Sequence, residues 1–357
     1  MRNMKQDAAQ TISHLTRALA PDFRLMPLLL ADLPVFLAVA VPTSDAVTGL
    51  KPRLPAGRGM TAQQAMISTG AEAIELRASL AQRHLPALAT LPRQDGFAMV
   101  EALDLVTGGT VPVPAQTVFL DCAAVLDEPL VTDATSSGCA AGVTGDAATL
   151  TALWECIERD AVALWWHGGL PAGPLPLDLI DRQHPRLHWW LDQRDRTTTL
   201  LDLTTNIGLP VVASVSADAG GRCVAVGTAA RPSLAAAALA AVTEMIQTET
   251  GMDQARAADD PEVGDWDAHA STERQPQFHP HAPKSHPALL KAGDDLPQRL
   301  ARLGHPVLAL NLTLPGDPLA TTRIIVPGLC AMGGQIDTPR FRRLCGGITA
   351  PTLPEPF

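Results

Sequence analysis

No excess of positive charge is present: 27 lysines and arginines stand against 37 aspartates and glutamates, a formal net charge of -10 over 357 residues. Non-specific attraction to nucleic acid or to an anionic membrane is therefore not expected. No CxxC pair occurs among Cys122, Cys139, Cys156, Cys223, Cys330 and Cys345, which argues against a zinc site and against a secreted disulfide framework, so a reducing cytoplasm is the expected compartment. No apolar run is long enough to span a bilayer: MPLLLADLPVFLAVAVP is interrupted by Asp32 and by Pro27, Pro34 and Pro42, and the opening MRNMKQDAAQ has no apolar stretch after its charges. The familiar nucleotide loops are missing too, with no GxxxxGK[ST] and no GxGxxG followed by a lysine strand and an HRD loop. What remains is a globular composition, 46% hydrophobic and 18% charged, with ample core for one large domain or two medium ones.

Periodicity predicts an amphipathic helix over 6–20 and strands around Met26–Leu30 and Val35–Val41. GRGMTAQQAMIS then opens a helix near Thr61, with Gln64 three residues on in the capping-box position, and that helix is expected to run to about His84. Gly96 to Leu130 reads as strands joined by a turn, Thr135 to Ala161 as a small-residue loop, with Cys139 in its glycine-rich turn, feeding a helix, and Pro171 to Asp178 as a loop. A strand pair ending near Ser216, a further strand and a long alanine-rich helix follow. The stretch 251–297 is expected to be an extended surface loop beside a short helix, and a final strand unit precedes the tail ITAPTLPEPF. No linker divides the chain.

Three of these helices carry an acidic residue three positions before a second polar one: Glu72 and Glu75, Glu155 and Glu158, Glu244 and Gln247. Spacing of three puts each pair on one helical face. For Glu155, Glu158 and Arg159 taken alone, the ordinary reading is a structural ion pair in a buried apolar helix. Three such pairs admit another: carboxylates gathered in one site repel, and need cations, protons or guanidinium groups between them, magnesium with a nucleotide triphosphate being the natural oxygen-only set.

Ordered blocks resemble the YcaO-domain family. GRGMTAQQAMISTGAEAIEL is similar to its GKG-T…S…E-x-x-E-R block and supplies Gly57, Arg58, Gly59, Thr61, Ser68, Glu72 and Glu75. TSSGCAAGVTGDAATLTALWECIERD resembles the S-N-G…E-x-x-E-R-D block, supplying Glu155, Glu158, Arg159 and Asp160, and LAAVTEMIQ resembles R-A-L-T-E-x-x-Q, supplying Glu244 and Gln247. The likeness runs from about residue 55 onward. It implies an α+β fold, a YcaO-type ATP-binding domain with mixed or antiparallel sheets packed by helices; 1–54 is expected as an N-terminal segment of that domain and 55–357 as the catalytic domain with a proline-rich tail over 350–357.

The resemblance also implies function. ATP would be contacted by Arg58, Ser68, Glu72, Glu75, Glu155, Glu244 and Gln247, and Mg2+ by Glu72, Glu75, Glu155, Glu158 and Glu244. Glu155, Glu158 and Arg159 would serve catalysis together with the tail residues Pro354, Pro356 and Phe357, since a proline-rich terminus resembles that of azoline-forming members. The implied reaction is ATP-dependent cyclodehydration of Cys, Ser or Thr in a ribosomal precursor peptide. Implied partners are that peptide, a ThiF-like leader-binding protein and an FMN-dependent azoline dehydrogenase, in a hetero-oligomeric complex without nucleic acid or membrane. The alternatives within the fold are thioamide or amidine formation and a non-catalytic scaffold. Two positions depart from the pattern: Leu76 and Ala240 stand where the blocks usually have arginine, and Arg77 or Arg231 is the expected substitute.

Other residues carry less. His279, His281 and His286 are expected in a solvated loop, Trp154, Trp165, Trp166, Trp189 and Trp190 in packing, and Cys139 as a small buried residue.

Overall fold

A computed structural model of the chain describes residues 2–30, 32–49, 53–132, 134–181, 184–281, 289–291, 293–330 and 336–347. Among these, every strand ladder is antiparallel, and helices cover the sheets in an α+β arrangement. The chain divides into two units, Met1–Cys156 with Pro297–Pro327, and Ile157–Leu296 with Gly328–Phe357.

In the first unit, the Arg2–Leu19 helix buries Leu15 and Leu19 against the helix Ala62–Ser79. Each such leucine contributes about 1.5–3 kcal/mol by leaving water. A sheet in the order Phe23–Leu28, Phe36–Pro42, Ala56–Gly59 packs on the same helix. Its last strand needs glycine: a Cβ on Gly57 would sit 2.2 Å from the backbone nitrogen of Thr69. The Ala62–Ser79 helix ends earlier than expected, because Leu80 turns extended and bridges Leu120, and only a short 3-10 turn reaches His84. A second sheet runs Arg93–Gln94, Phe97–Asp104, Leu308–Asn311, Ala320–Ile325, Cys139–Gly142, with Thr110–Pro114 also paired to Phe97–Asp104. Cys139–Gly142 corrects the expectation of a loop there. Its small side chains carry no β signature, and its pairing comes from Ala320–Ile325, far along the chain.

The second unit holds a sheet ordered Ala225–Ala230, Val211–Asp218, Arg196–Asp202, Gly173–Leu175, on which the helix Leu234–Ala257 lies. Gly173–Leu175 was expected as loop; pairing with Arg196–Asp202 makes it a strand despite its proline, which an edge strand tolerates. The long helix also runs past Gly251, and Pro261–His269 adds a further helix, so the polar segment is less extended than its composition suggests. Trp165 and Trp166 are buried, Trp166 stacking on Trp266 at 6.3 Å. Trp189 departs from the packing expectation at 64% exposure, because the Pro185–Gln193 helix turns Leu187 and Leu191 inward and leaves Trp189 outside. Among the described residues no helix is long and apolar enough to cross a membrane.

Candidate functional site

Three edge strands each lead into a capped helix. Ala56–Gly59 is followed by Thr61, Cys139–Gly142 by Thr144, and Ala225–Ala230 by Ser233. The cap hydroxyl accepts the N–H three residues on at 3.2 Å in all three: Gln64, Ala147 and Ala236. An orphan helical donor is satisfied each time. Eleven residues past each cap stands an acid, Glu72, Glu155 or Glu244, and fourteen past it stands Glu75, Glu158 or Gln247. Thr144 and Ser233 lie outside the caps read from the sequence, and the signal for them is a Ser or Thr at a constant offset before each pair.

In the first two helices the residue eleven past the cap is the more open one. Glu72 is exposed, and Glu155 and Glu244 are half-buried. Of those fourteen past it, the two glutamates reach into the fold. The Glu75 carboxylate accepts the Ala141 N–H at 2.7 Å, and Glu158, itself buried, accepts the Ala230 N–H at 3.0 Å and the Thr228 hydroxyl at 2.7 Å. Ala141 and Ala230 both lie three residues before a cap, each on the strand of the next strand–helix pair along the chain. Gln247 is half-buried on the Leu234–Ala257 helix.

In the first unit the structure brings Glu72, Glu75 and Glu155 together. Burial, then the charge of Glu72 and, more weakly, that of Glu155 push the Glu75 carboxyl well above its ordinary value, against the stabilising Ala141 N–H. A divalent cation beside Glu72 and Glu155 would offset that kind of repulsion. No three His, Cys, Asp or Glu side chains among the described residues form a ready-made metal cage. Magnesium does not require one, because it commonly takes one or two carboxylates and completes its shell with phosphate oxygens and water.

Other expected residues fall as follows. Arg58 is half-buried in the strand Ala56–Gly59, Ser68 half-buried on the Ala62–Ser79 helix, and Arg159 half-buried beside Glu158. Pro354, Pro356 and Phe357 lie outside the described residues, as does His286; His279 and His281 are exposed. Arg77 does not stand in for the arginine missing at Leu76: its guanidinium is buried between Asp22 and Asp317 and donates to the Ala18 carbonyl at 3.0 Å. Arg231 donates to the Ala230 carbonyl at 2.7 Å. Asp160 is wholly buried against Arg340 in the second unit. Burial pushes the Cys139 thiol far up, leaving it no nucleophile.

A family model described as a YcaO cyclodehydratase binding ATP and Mg2+ matches residues 82–330. The chain belongs to the YcaO family. Glu155, Glu158, Arg159, Glu244 and Gln247 fall within the matched residues, while Glu72 and Glu75 precede them. Solved structures share the fold. A heterocyclase in complex with substrate and cofactor aligns with TM-score 0.80 and 21% identity, covering 98% of this chain and 57% of its own. YcaO from Methanopyrus kandleri bound with AMPPCP and Mg2+ aligns with TM-score 0.68 and 20% identity, over 98% and 95% of the two chains. The E. coli microcin synthetase McbBCD complex with pro-MccB17 bound contains a chain aligning with TM-score 0.63 and 14% identity, over 85% and 87%. This chain therefore spans little more than half of that heterocyclase, and 49% of the heterocyclase TruD. No curated protein sequence matches it significantly.

Proposed function

We propose that this protein is an ATP- and magnesium-dependent cyclodehydratase acting on a ribosomal precursor peptide in the cytoplasm. The observation that carries the proposal is the approach of Glu72 and Glu155 to one another around the clasped Glu75, two outer carboxylates within a fold whose family model is described as binding ATP and Mg2+. When bound, magnesium offsets charge on the transferring phosphoryl group. In the first unit Glu72 and Glu155 are the carboxylates that would hold it, and Glu244 is assigned to the metal by resemblance alone. Arg58, Ser68 and Gln247 are assigned to the nucleotide by resemblance, and Arg159 to the charge that builds on the phosphate.

In the proposed reaction a Cys, Ser or Thr side chain of the peptide adds to the preceding backbone carbonyl. The resulting oxyanion takes the γ-phosphoryl group of ATP, releasing ADP, and phosphate then leaves with the carbonyl oxygen to form the azoline. An amide oxygen leaves readily only once it carries phosphate, so the protein's part is to position and to stabilise charge. Pro354, Pro356 and Phe357 are proposed to order the peptide end of the site, a short proline-rich segment having little conformational entropy to lose. A ThiF-like leader-binding protein and an FMN-dependent azoline dehydrogenase are the proposed partners, with the microcin synthetase complex as the supporting parallel.

Incubation of the protein with MgATP, a precursor peptide and the leader-binding partner tests this. The expected result is one phosphate released and one water lost from the peptide per ring. With a sulfide donor added to the same mixture, replacement of a peptide oxygen by sulfur without ring closure points to thioamide formation instead, and absence of any phosphate release with all components supplied defeats the enzymatic reading.

A further inference from the structure

In two successive strand–helix pairs the inner glutamate makes the same bond at the same register. Glu75, fourteen residues past its cap, accepts the N–H of Ala141, three before the next cap; Glu158, fourteen past its own, accepts the N–H of Ala230, again three before the next. Both acceptor strands are the last in their sheets, Cys139–Gly142 beside Ala320–Ile325 and Ala225–Ala230 beside Val211–Asp218. An edge strand presents N–H groups that no neighbouring strand takes up. The inner carboxylate takes up one of them, and Thr228 fixes the second oxygen of Glu158 at 2.7 Å.

The third pair differs at the inner position. Its inner residue is Gln247, an amide. An amide accepts an N–H as a carboxylate does, but it brings no charge to a cation.

We propose that Glu75 and Glu158 are positioning residues, clasps that lock the edge strand of the following strand–helix pair and thereby set Glu155 and Glu244 at their working height, neither clasp itself touching the metal. This rests on the ATP–magnesium reading of the site. In the clasp the side-chain carbonyl matters and the negative charge does not.

Glutamine and leucine variants separate the roles. Binding of MgATP would be measured by calorimetry at several magnesium concentrations, and protection of the Ala141 and Ala230 amides by hydrogen exchange. Glu75→Gln and Glu158→Gln are expected to keep binding within about threefold and to keep both amides protected, whereas Glu75→Leu and Glu158→Leu expose the respective amide and weaken binding about 10–100-fold. Glu72→Gln and Glu155→Gln are expected to lose the magnesium dependence with the amides still protected. Should leucine prevent folding, the glutamine pair decides alone: a Glu75→Gln protein as weak as Glu72→Gln, with Ala141 still protected, makes Glu75 a ligand and overturns the clasp. Leucine variants that bind as tightly as the parent also overturn it. Failure of the parent to bind MgATP refutes the nucleotide reading instead, and the exchange pattern, which needs no nucleotide, still reads the clasp.

Discussion

Arg340 lies across Asp160, its Nε donating to the two carboxylate oxygens at 3.1 and 3.0 Å, with the side chains 1% and 0% exposed. The rest of the guanidinium reaches Asn206 at 2.8 Å and Thr205 at 3.2 Å, and Asp160 also accepts the Cys330 N–H at 3.0 Å. Every charge is thus met by a partner, the condition under which a buried pair is tolerated. The pair ties the helix Pro339–Cys345 to the residue directly after Arg159.

Breaking this pair from one side leaves a buried charge uncompensated. Asp160→Ala and Arg340→Ala are each expected to destabilise the protein by about 3–5 kcal/mol, and Asp160→Leu with Arg340→Met by clearly less than the sum. Urea unfolding of the three variants measures it. Equal and small effects for both single variants would show that the pair has little weight.

Gly227 meets a harder constraint than most core positions. A Cβ there would lie 2.2 Å from the Met245 nitrogen and 2.3 Å from the Ala241 carbonyl oxygen, both backbone atoms of the Leu234–Ala257 helix. Neither can swing aside. Gly227→Ala is expected to cost about 1–3 kcal/mol or more by pushing that helix off its sheet, read as a lower unfolding midpoint.

His84 gives the fold a pH dependence. Its Nε2 lies 2.7 Å from the Ala78 carbonyl and its ring packs on Phe119 at 4.7 Å; burial holds its pKa below the ordinary imidazole value, although the carbonyl bond works the other way. The unfolded chain therefore binds the proton more readily. As pH falls below about 6.5, this residue takes stability away, the loss levelling off only below its folded pKa, and as pH rises the stability returns. His84→Gln, which can still donate to Ala78, is expected to flatten that part of the curve of melting temperature against pH. An unchanged slope would remove His84 from the account.

Much of the fold was readable because local signals agreed with it. Thr61 and Gln64 announce their helix: Gln64 closes back on the Met60 N–H at 2.9 Å, one residue before the position the capping box describes. The strand Val211–Asp218 and the helix Leu234–Ala257 were likewise plain from β-branched and alanine-rich runs. Cys139–Gly142 was not, since nothing in SGCAAG favours a strand until Ala320–Ile325 pairs with it. The glutamate pairs were visible as pairs. Their inequality was not, because the groups that separate inner from outer are backbone N–H groups of Ala141 and Ala230, which carry no side-chain signature. Arg77 looked available for the site and is held instead by Asp22 and Asp317, residues remote in sequence.

The bonds from Glu75 to Ala141 and from Glu158 to Ala230 bear on how copies of this protein treat one another. A sheet edge with free N–H groups is a template on which a neighbouring chain can add a strand. A carboxylate seated on that edge interrupts the template and places an acceptor where a foreign strand would have to bring its own. At Ala230 that edge is covered as well as interrupted, since every residue of Ala225–Ala230 is buried, so a second copy could add a strand there only after the helix that carries Glu158 had been displaced.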